Sequence, residues 1–168
     1  MIISISGVSC TGKTTTIGLL QEAGYPVITP SASRVASGVK FPTSQAKDRF
    51  IFEEGHRQLL EAQQIAESTG KPVFLDRSQF DNWTFRLVYG GDLSYEDRLI
   101  ADVKQIGFLW ILDPGDVPFQ DDGVRPADLQ KRAVWHDVMA REAGVQRLHW
   151  EILRGDPKQR LRYILQRL

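Results

Sequence analysis

The chain has 168 residues, 42% hydrophobic and 25% charged, with acidic and basic side chains in equal number and so zero formal net charge. That length fits one domain around one core, and the neutral balance gives no global pull toward nucleic acid or a membrane surface. The single cysteine, Cys10, excludes an internal disulfide; no secretory leader pattern and no apolar run near the roughly 20 residues of a membrane helix is present, so a cytoplasmic protein without a membrane partner is expected.

In chain order, Met1–Ser6 reads as a short buried strand, and Lys13–Ala23 has helical spacing with Gly24 as its C-cap. Tyr25–Thr29 is a second strand. Pro30–Thr43, rich in Pro, Ser and Gly, reads as a loop. Ser44–Ser68 is polar and periodic, one long helix or two, and Gly70 and Pro72 end it. Pro72–Asp76 is a third strand that finishes on a charge. Gln79–Val88 is helical up to Gly90-Gly91, and Tyr95–Gln105 is a further helix with Ser94 as N-cap and Asp97 at a capping-box position. Gly107–Leu112, apolar on both faces, is a fourth strand ending at Asp113. After a loop over Pro114–Gly123, Pro126–Ala143 reads as a helix opened by Pro126 and closed by Gly144. Arg147–Ile152 is a fifth strand. Asp156–Leu168 closes the chain as a helix capped by Asp156 with Pro157 at its first position. From Arg141 onward seven basic residues face only Glu142, Glu151 and Asp156, so the tail is basic. Short continuous apolar strands alternating with helices predict an α/β fold with a parallel sheet covered on both sides.

Gly7–Thr14, GVSCTGKT, fits G-x-x-x-x-G-K-[ST] between a strand and a helix. The residue types suit a triphosphate. Gly7 and Gly12 let the backbone curl so that the N–H groups of Ser9, Cys10, Thr11, Gly12, Lys13, Thr14 and Thr15 turn toward phosphate oxygens. The helix N-terminus adds its dipole. Lys13 brings charge to the β- and γ-phosphates, and Thr14 offers a hydroxyl to Mg²⁺. The motif implies ATP as ligand without specifying the reaction.

In a doubly wound sheet ligands collect at the C-terminal strand ends. The third strand ends FLDRS. Asp76 there either meets the metal and the acceptor hydroxyl, as general base or metal partner, or caps the next helix. Arg77 forks onto a phosphate or carboxylate, or stands in solvent. Asp81, about one helical turn on, contacts substrate or lies on the surface. Beyond the fourth strand, DPGDVPFQDDGVRPADLQKR is exposed and loop-like, and Arg125 and Arg132 share a helix face. Arginines on such a segment suit a lid that closes over the triphosphate.

GVSCTGKTT, FLDRS with Asp81 beyond it, DDGVR before a helix and the closing RGDPKQRLRYIL together resemble the small P-loop kinases of nucleosides and nucleotides. The likeness is to the group holding ribosylnicotinamide-kinase-like domains and phage AAA-type ATPases of this length. It implies a three-layer P-loop NTPase sandwich with a five-stranded parallel sheet of order 2-3-1-4-5 and a mobile lid. It also implies one kinase domain over residues 1–168, with the lid at roughly 114–140. The resemblance assigns catalysis to Lys13, Asp76 and Arg125, the metal to Thr14 and Asp76, and nucleotide phosphates also to Arg132. It sets the loop at Arg154-Gly155-Asp156 beside adenine, with Asp156 as a plain N-cap the alternative. Where many relatives carry an acidic residue after the second strand, this chain has Ser31-Ala32-Ser33-Arg34, and Arg34 is assigned to the acceptor. The location it implies is cytoplasmic, the host's cytoplasm for a phage protein.

On the acceptor side the aromatics of Ser44–Ser68 are core or stacking platforms, and Trp83 is the candidate to stack on a base. The expected activity is transfer of the ATP γ-phosphate to a hydroxyl or phosphate of a nucleoside- or nucleotide-type acceptor. One alternative is a kinase acting on nucleic acid, at a chain end or a hydroxymethylated base in phage DNA, with Arg34, Lys40, Lys47 and the basic tail lining a groove. The other is a nucleotide-dependent switch or ATPase without an acceptor.

Overall fold

The computed structural model describes residues 1–115 and 128–168. Five parallel strands form one sheet: β1 (Ile2–Ser6), β2 (Val27–Ile28), β3 (Val73–Asp76), β4 (Phe108–Leu112) and β5 (Trp150–Leu153), in the order β2-β3-β1-β4-β5. The order expected from the resemblance is therefore the order found. β1 is central, pairing Ile5 with Asp76 of β3 and Ser6 with Ile111 of β4. Its C-terminus thus opens between two other strand ends, the place where such sheets bind ligands.

Strand alternation divides the core. Ile3, Ile5, Phe74, Trp110, Leu112 and Leu153 face one side with Ile17, Leu20 and Ile164 of α1 (Lys13–Glu22) and α7 (Pro157–Leu165). Ile2, Val73, Leu75, Leu109 and Ile111 face the other. There they meet α3 (Ser44–Thr69), α4 (Gln79–Tyr89), α5 (Glu96–Val103) and α6 (Leu129–Val145). The result is three layers, helix–sheet–helix.

β1 also carries Ser4 and Ser6 on the second side, both fully buried. Their hydroxyls bond to each other at 2.8 Å; Ser4 Oγ reaches Ser78 Oγ at 2.9 Å and Ser6 Oγ donates to Asp81 at 2.6 Å. This buried polar chain ties the start of α4 to the strand that feeds the glycine loop, and buried polar groups persist when so paired.

Several local expectations are corrected. The supposed loop Pro30–Thr43 contains α2 (Ala32–Ser37), with Ser31 as N-cap. Ser44–Thr69 is one helix, its Thr43 cap accepting from Ala46 N and Gly70 ending it at φ 66°. Ser94 does not cap α5; Tyr95 stands at the N-cap without a side-chain bond, and Asp92 accepts from Ser94 N at 2.8 Å. α6 begins at an Asp128 cap and runs through Gly144 to Val145. A helical glycine costs only about 1 kcal/mol, so the last turn of the helix runs through Gly144. Pro126 lies outside the described residues.

Candidate functional site

The loop between β1 and α1 is shaped by its backbone. Gly7 adopts φ 142°, and a Cβ there would stand 3.3 Å from Leu112 N and O of the neighbouring strand. Gly12 is the N-cap of α1 at φ 79°, and Cys10 takes a left-handed φ of 55°. α1 has no side-chain cap and no acidic residue in its first turn, whereas α3, α4, α6 and α7 are each capped by a Thr, Ser or Asp side chain. With glycine at its N-cap, the helix turns its first-turn N–H groups and positive dipole end toward the loop concavity, the arrangement that receives an anion.

Three side chains brace the loop from outside and Thr11 braces it from within. Asp81 accepts from Gly7 N at 3.2 Å, Ser78 N at 3.2 Å and Ser6 Oγ. Arg132 Nε donates to Ser9 O at 3.0 Å. Arg160, fully buried on α7, donates to Thr11 O and, at 3.2 Å, to Asp113 O. Thr11 Oγ1 donates to Val8 O at 3.1 Å. By occupying carbonyls, Arg132 and Arg160 hold the peptide planes whose N–H groups point the other way. Lys13 is buried, its Nζ donating to Val8 O and, at 3.1 Å, to Thr11 Oγ1.

A cleft of about 760 Å³ opens over this loop. Ser9, Cys10, Thr11, Gly12, Lys13 and Thr14 line it, together with Asp76, Arg77, Asp81 and Arg34. The sheet explains the gathering, since β3 lies beside β1 and Arg77 N donates to Ile5 O at 3.1 Å. Arg77 takes a left-handed φ of 65°, a conformation that non-glycine residues hold only where their surroundings fix it. Its guanidinium lies 5.5 Å from the Trp135 ring centroid and 3.9 Å from Asp81 Oδ1. Asp76 is half-buried and accepts a long 3.4 Å bond from Thr29 Oγ1. It is not the cap of α4, which is Ser78 in a capping box with Asp81.

Asp81 is not a surface residue. Burial pushes its carboxyl above the ordinary range, opposed by Arg77, the Ser6 hydroxyl, Lys13 and Gly7 N–H. Burial lowers the proton affinity of Arg132 in the same way, and that of His136 below the usual imidazole value. Asp113 forms a turn, accepting from Gly115 N at 2.8 Å and pairing with Arg154 at 3.2 Å.

Other expected residues fall elsewhere. Gly7 and Thr15 do not line the cleft, although Gly7 shapes it. Trp83 is 2% exposed among core side chains and donates its Nε1–H to Glu96 at 2.9 Å, so it does not stack on a ligand. Arg125 lies outside the described residues. His56 bonds Asp102 at 3.0 Å beneath α3, and Phe52 stacks on Tyr95 in the core.

The opposite wall of the cleft holds residues the motifs do not mark: Asn82, Phe85, Arg86 and Tyr89 of α4, Lys47, Asp48 and Ile51 of α3, and Ser33 and Ser37 of α2. Positions 82, 85, 86 and 89 form one helical stripe facing the cleft, while Phe80, Trp83 and Thr84 face the core. That spacing, read outward from Asp81, is the signal that separates Phe85 from Trp83.

Residues 2–160 match the AAA domain family. No curated protein matches the sequence. Among solved structures, thymidylate kinase from Ehrlichia chaffeensis superposes with a TM-score of 0.68 at 15% identity, covering 99% of this chain and 97% of its own. The NadR protein in complex with NR gives 0.67 at 17% identity, covering 98% of this chain, which spans only 49% of that protein. The YorR protein of Bacillus subtilis, in complex with phosphorylated GDP, gives 0.61 at 16% identity over 98% of this chain and 94% of its own. At these identities the likeness is one of fold.

Proposed function

Because this chain belongs to the AAA domain family, we propose that it is a P-loop kinase moving the ATP γ-phosphate to a nucleoside- or nucleotide-type acceptor. One observation carries the reading. The loop with its uncapped helix, Lys13 and Thr14 shares a single cleft with Asp76 and Arg77 of the adjacent strand end. A phosphate cradle alone suits any nucleotide-binding protein; a carboxylate and a guanidinium facing it across one cavity suit transfer.

ATP lies with its phosphates on Gly7–Thr14 and Lys13 on the β/γ oxygens. An acceptor oxygen attacks the γ-phosphorus while the bond from that phosphorus to the β,γ-bridging oxygen breaks. ADP leaves with the bridging oxygen, and a hydroxyl acceptor passes its proton to Asp76. Arg77, pinned by Trp135, offers charge to the transferring group. The hydroxyl of Thr14 and the carboxylate of Asp76 are hard oxygen donors on the cleft wall, a set that fits Mg²⁺. When bound, Mg²⁺ neutralises phosphate charge. Residues 1–168 act as one kinase domain, and Arg132 holds the loop from behind from α6, whose Trp135 and Met139 are packed in the core, while the expected lid arginine, Arg125, lies outside the described residues.

A nucleic-acid acceptor is less well supported. Arg34 and Lys47 line the acceptor wall on α2 and α3, but the basic tail runs into α7 on the other side of the sheet, where Arg160 is buried and Arg167 pairs with Glu151. In the described residues no helix is long and apolar enough to cross a membrane. A transfer screen with γ-labelled ATP tests the proposal, offering nucleosides, monophosphates, ribosylnicotinamide, DNA ends and hydroxymethylated DNA side by side. Label on a small acceptor is expected. Label on DNA alone selects the nucleic-acid alternative, and inorganic phosphate alone selects the switch.

A further inference from the structure

One group in the cleft wall has hydrogen-bonding capacity that the described residues do not use. Arg86 of α4 is 4% exposed and lines the cleft. Its Nη2 donates to the Asp48 carbonyl at 2.6 Å, while its Nη1 is buried with no hydrogen-bond partner among the described residues. A guanidinium carries donors only, and a buried donor left unmatched is unfavourable. The side chain is also held in place. A Cβ on Gly91 would come within 2.8 Å of Arg86 Cγ and 3.3 Å of Asp48 Oδ2, so the stem lies against a position that admits only glycine without rearrangement.

The neighbours define what Arg86 can meet. Burial lowers the proton affinity of Arg86, and the charges of Asp48 and Asp92 oppose that shift; with two carboxylates already acting on it, a neutral acceptor atom matches the remaining donor. On the same stripe Phe85 is 40% exposed and lines the cleft, its ring stacked on Tyr89 at a 4.4 Å centroid distance, so an apolar ring stands in the cleft wall. Helix rise carries Arg86 about 7.5 Å beyond Asp81 along α4, and Asp81 is bonded to the loop at Gly7. Phe85 and Arg86 therefore serve the end of the acceptor remote from the reacting oxygen.

We propose that Arg86 determines acceptor specificity. Its Nη1 donates to a neutral oxo group on the outer edge of a planar base lying along Phe85, as in uracil, thymine, guanine or hypoxanthine. The amino group that cytosine and adenine carry at that edge would set donor against donor. The proposal rests on reading this cleft as a kinase acceptor site.

The test is equilibrium dialysis in the presence of ADP, pairing uridine with cytidine and inosine with adenosine, each as nucleoside and as 5′-monophosphate. The oxo member of each pair is expected to bind about 10- to 100-fold more tightly, since the amino member leaves the buried donor unmatched. Arg86→Lys, which loses the planar fork, and Gly91→Ala, which displaces the stem, each bring the ratio toward one. ATP affinity, measured in the same way, reports the fold of each variant. A wild-type ratio near one or inverted, a ratio unchanged in both folded variants, or no binding of any base overturns the proposal. The two readings fail separately. An oxo preference without phosphate transfer sinks the kinase and spares Arg86, whereas transfer without that preference does the reverse.

Discussion

The two ends of the cleft are made of different material. The loop end is main chain: consecutive peptides from Gly7 to Lys13, curled by Gly7, Gly12 and a left-handed Cys10, and braced by Asp81, Arg132 and Arg160. The acceptor end is side chain, with Arg34, Lys47, Asn82, Phe85 and Arg86 supplied by three helices. A backbone cradle receives one kind of group, a phosphate, and tolerates little change. A side-chain wall can be rewritten one residue at a time. Substitutions at the first end should therefore abolish activity, and those at the second should redirect it.

Lys13→Ala is the largest expected effect. Transfer falls by at least about 10⁴-fold, since a full charge on the transferring phosphoryl group is lost, and circular dichroism shows the fold retained. Asp76→Asn is next, with kcat down about 10²- to 10⁴-fold while ATP affinity holds. Near-normal turnover in that variant removes Asp76 as base. Asp81→Asn tests the bracing. The amide sets an N–H₂ group against donors now matched by a carboxylate, with a loss of about 1–3 kcal/mol in urea unfolding and about tenfold weaker ATP binding. Lost stability with ATP affinity unchanged would confine Asp81 to capping α4.

The smallest effect concerns pH. His136 is held below the ordinary imidazole value by burial, facing Asp113, Asp137 and Arg132. The unfolded chain therefore takes up this proton first, and stability falls as pH drops from about 6.5 toward the lower folded value. His136→Gln flattens that slope in denaturant titrations between pH 7 and 5. An unchanged slope assigns the acid sensitivity to other groups.

The same division explains what could be read in the sequence. GVSCTGKT is contiguous, and the apolar runs around Ile5, Leu75 and Ile111 are continuous because both faces of a parallel sheet are buried, so the cradle, the strands and Asp76 at its strand end were legible. Asp81 was legible as a carboxylate near the loop but not as its brace. That role needs Ser4 and Ser6, two polar residues in a strand whose purpose appears only once α4 packs on it. Of the opposite wall only Arg34 and Lys47 were legible, and Asn82, Phe85 and Arg86 were not. Its residues come from separate segments, one of them the six-residue helix Ala32–Ser37 hidden in a Pro-, Ser- and Gly-rich stretch. Trp83 lies close in sequence to the strand-end motif, yet a two-residue step along a helix turns a side chain to a different face, and the exposed ring is Phe85.

That one cleft joins a nucleotide to an acceptor can be followed directly by phosphorus NMR of ATP with an accepted nucleoside or nucleotide. One new phosphate ester, or one lengthened phosphate chain, is expected on the acceptor for each ADP formed, with both signals lost in Asp76→Asn. ADP accumulating with inorganic phosphate while every offered acceptor stays unchanged would contradict it.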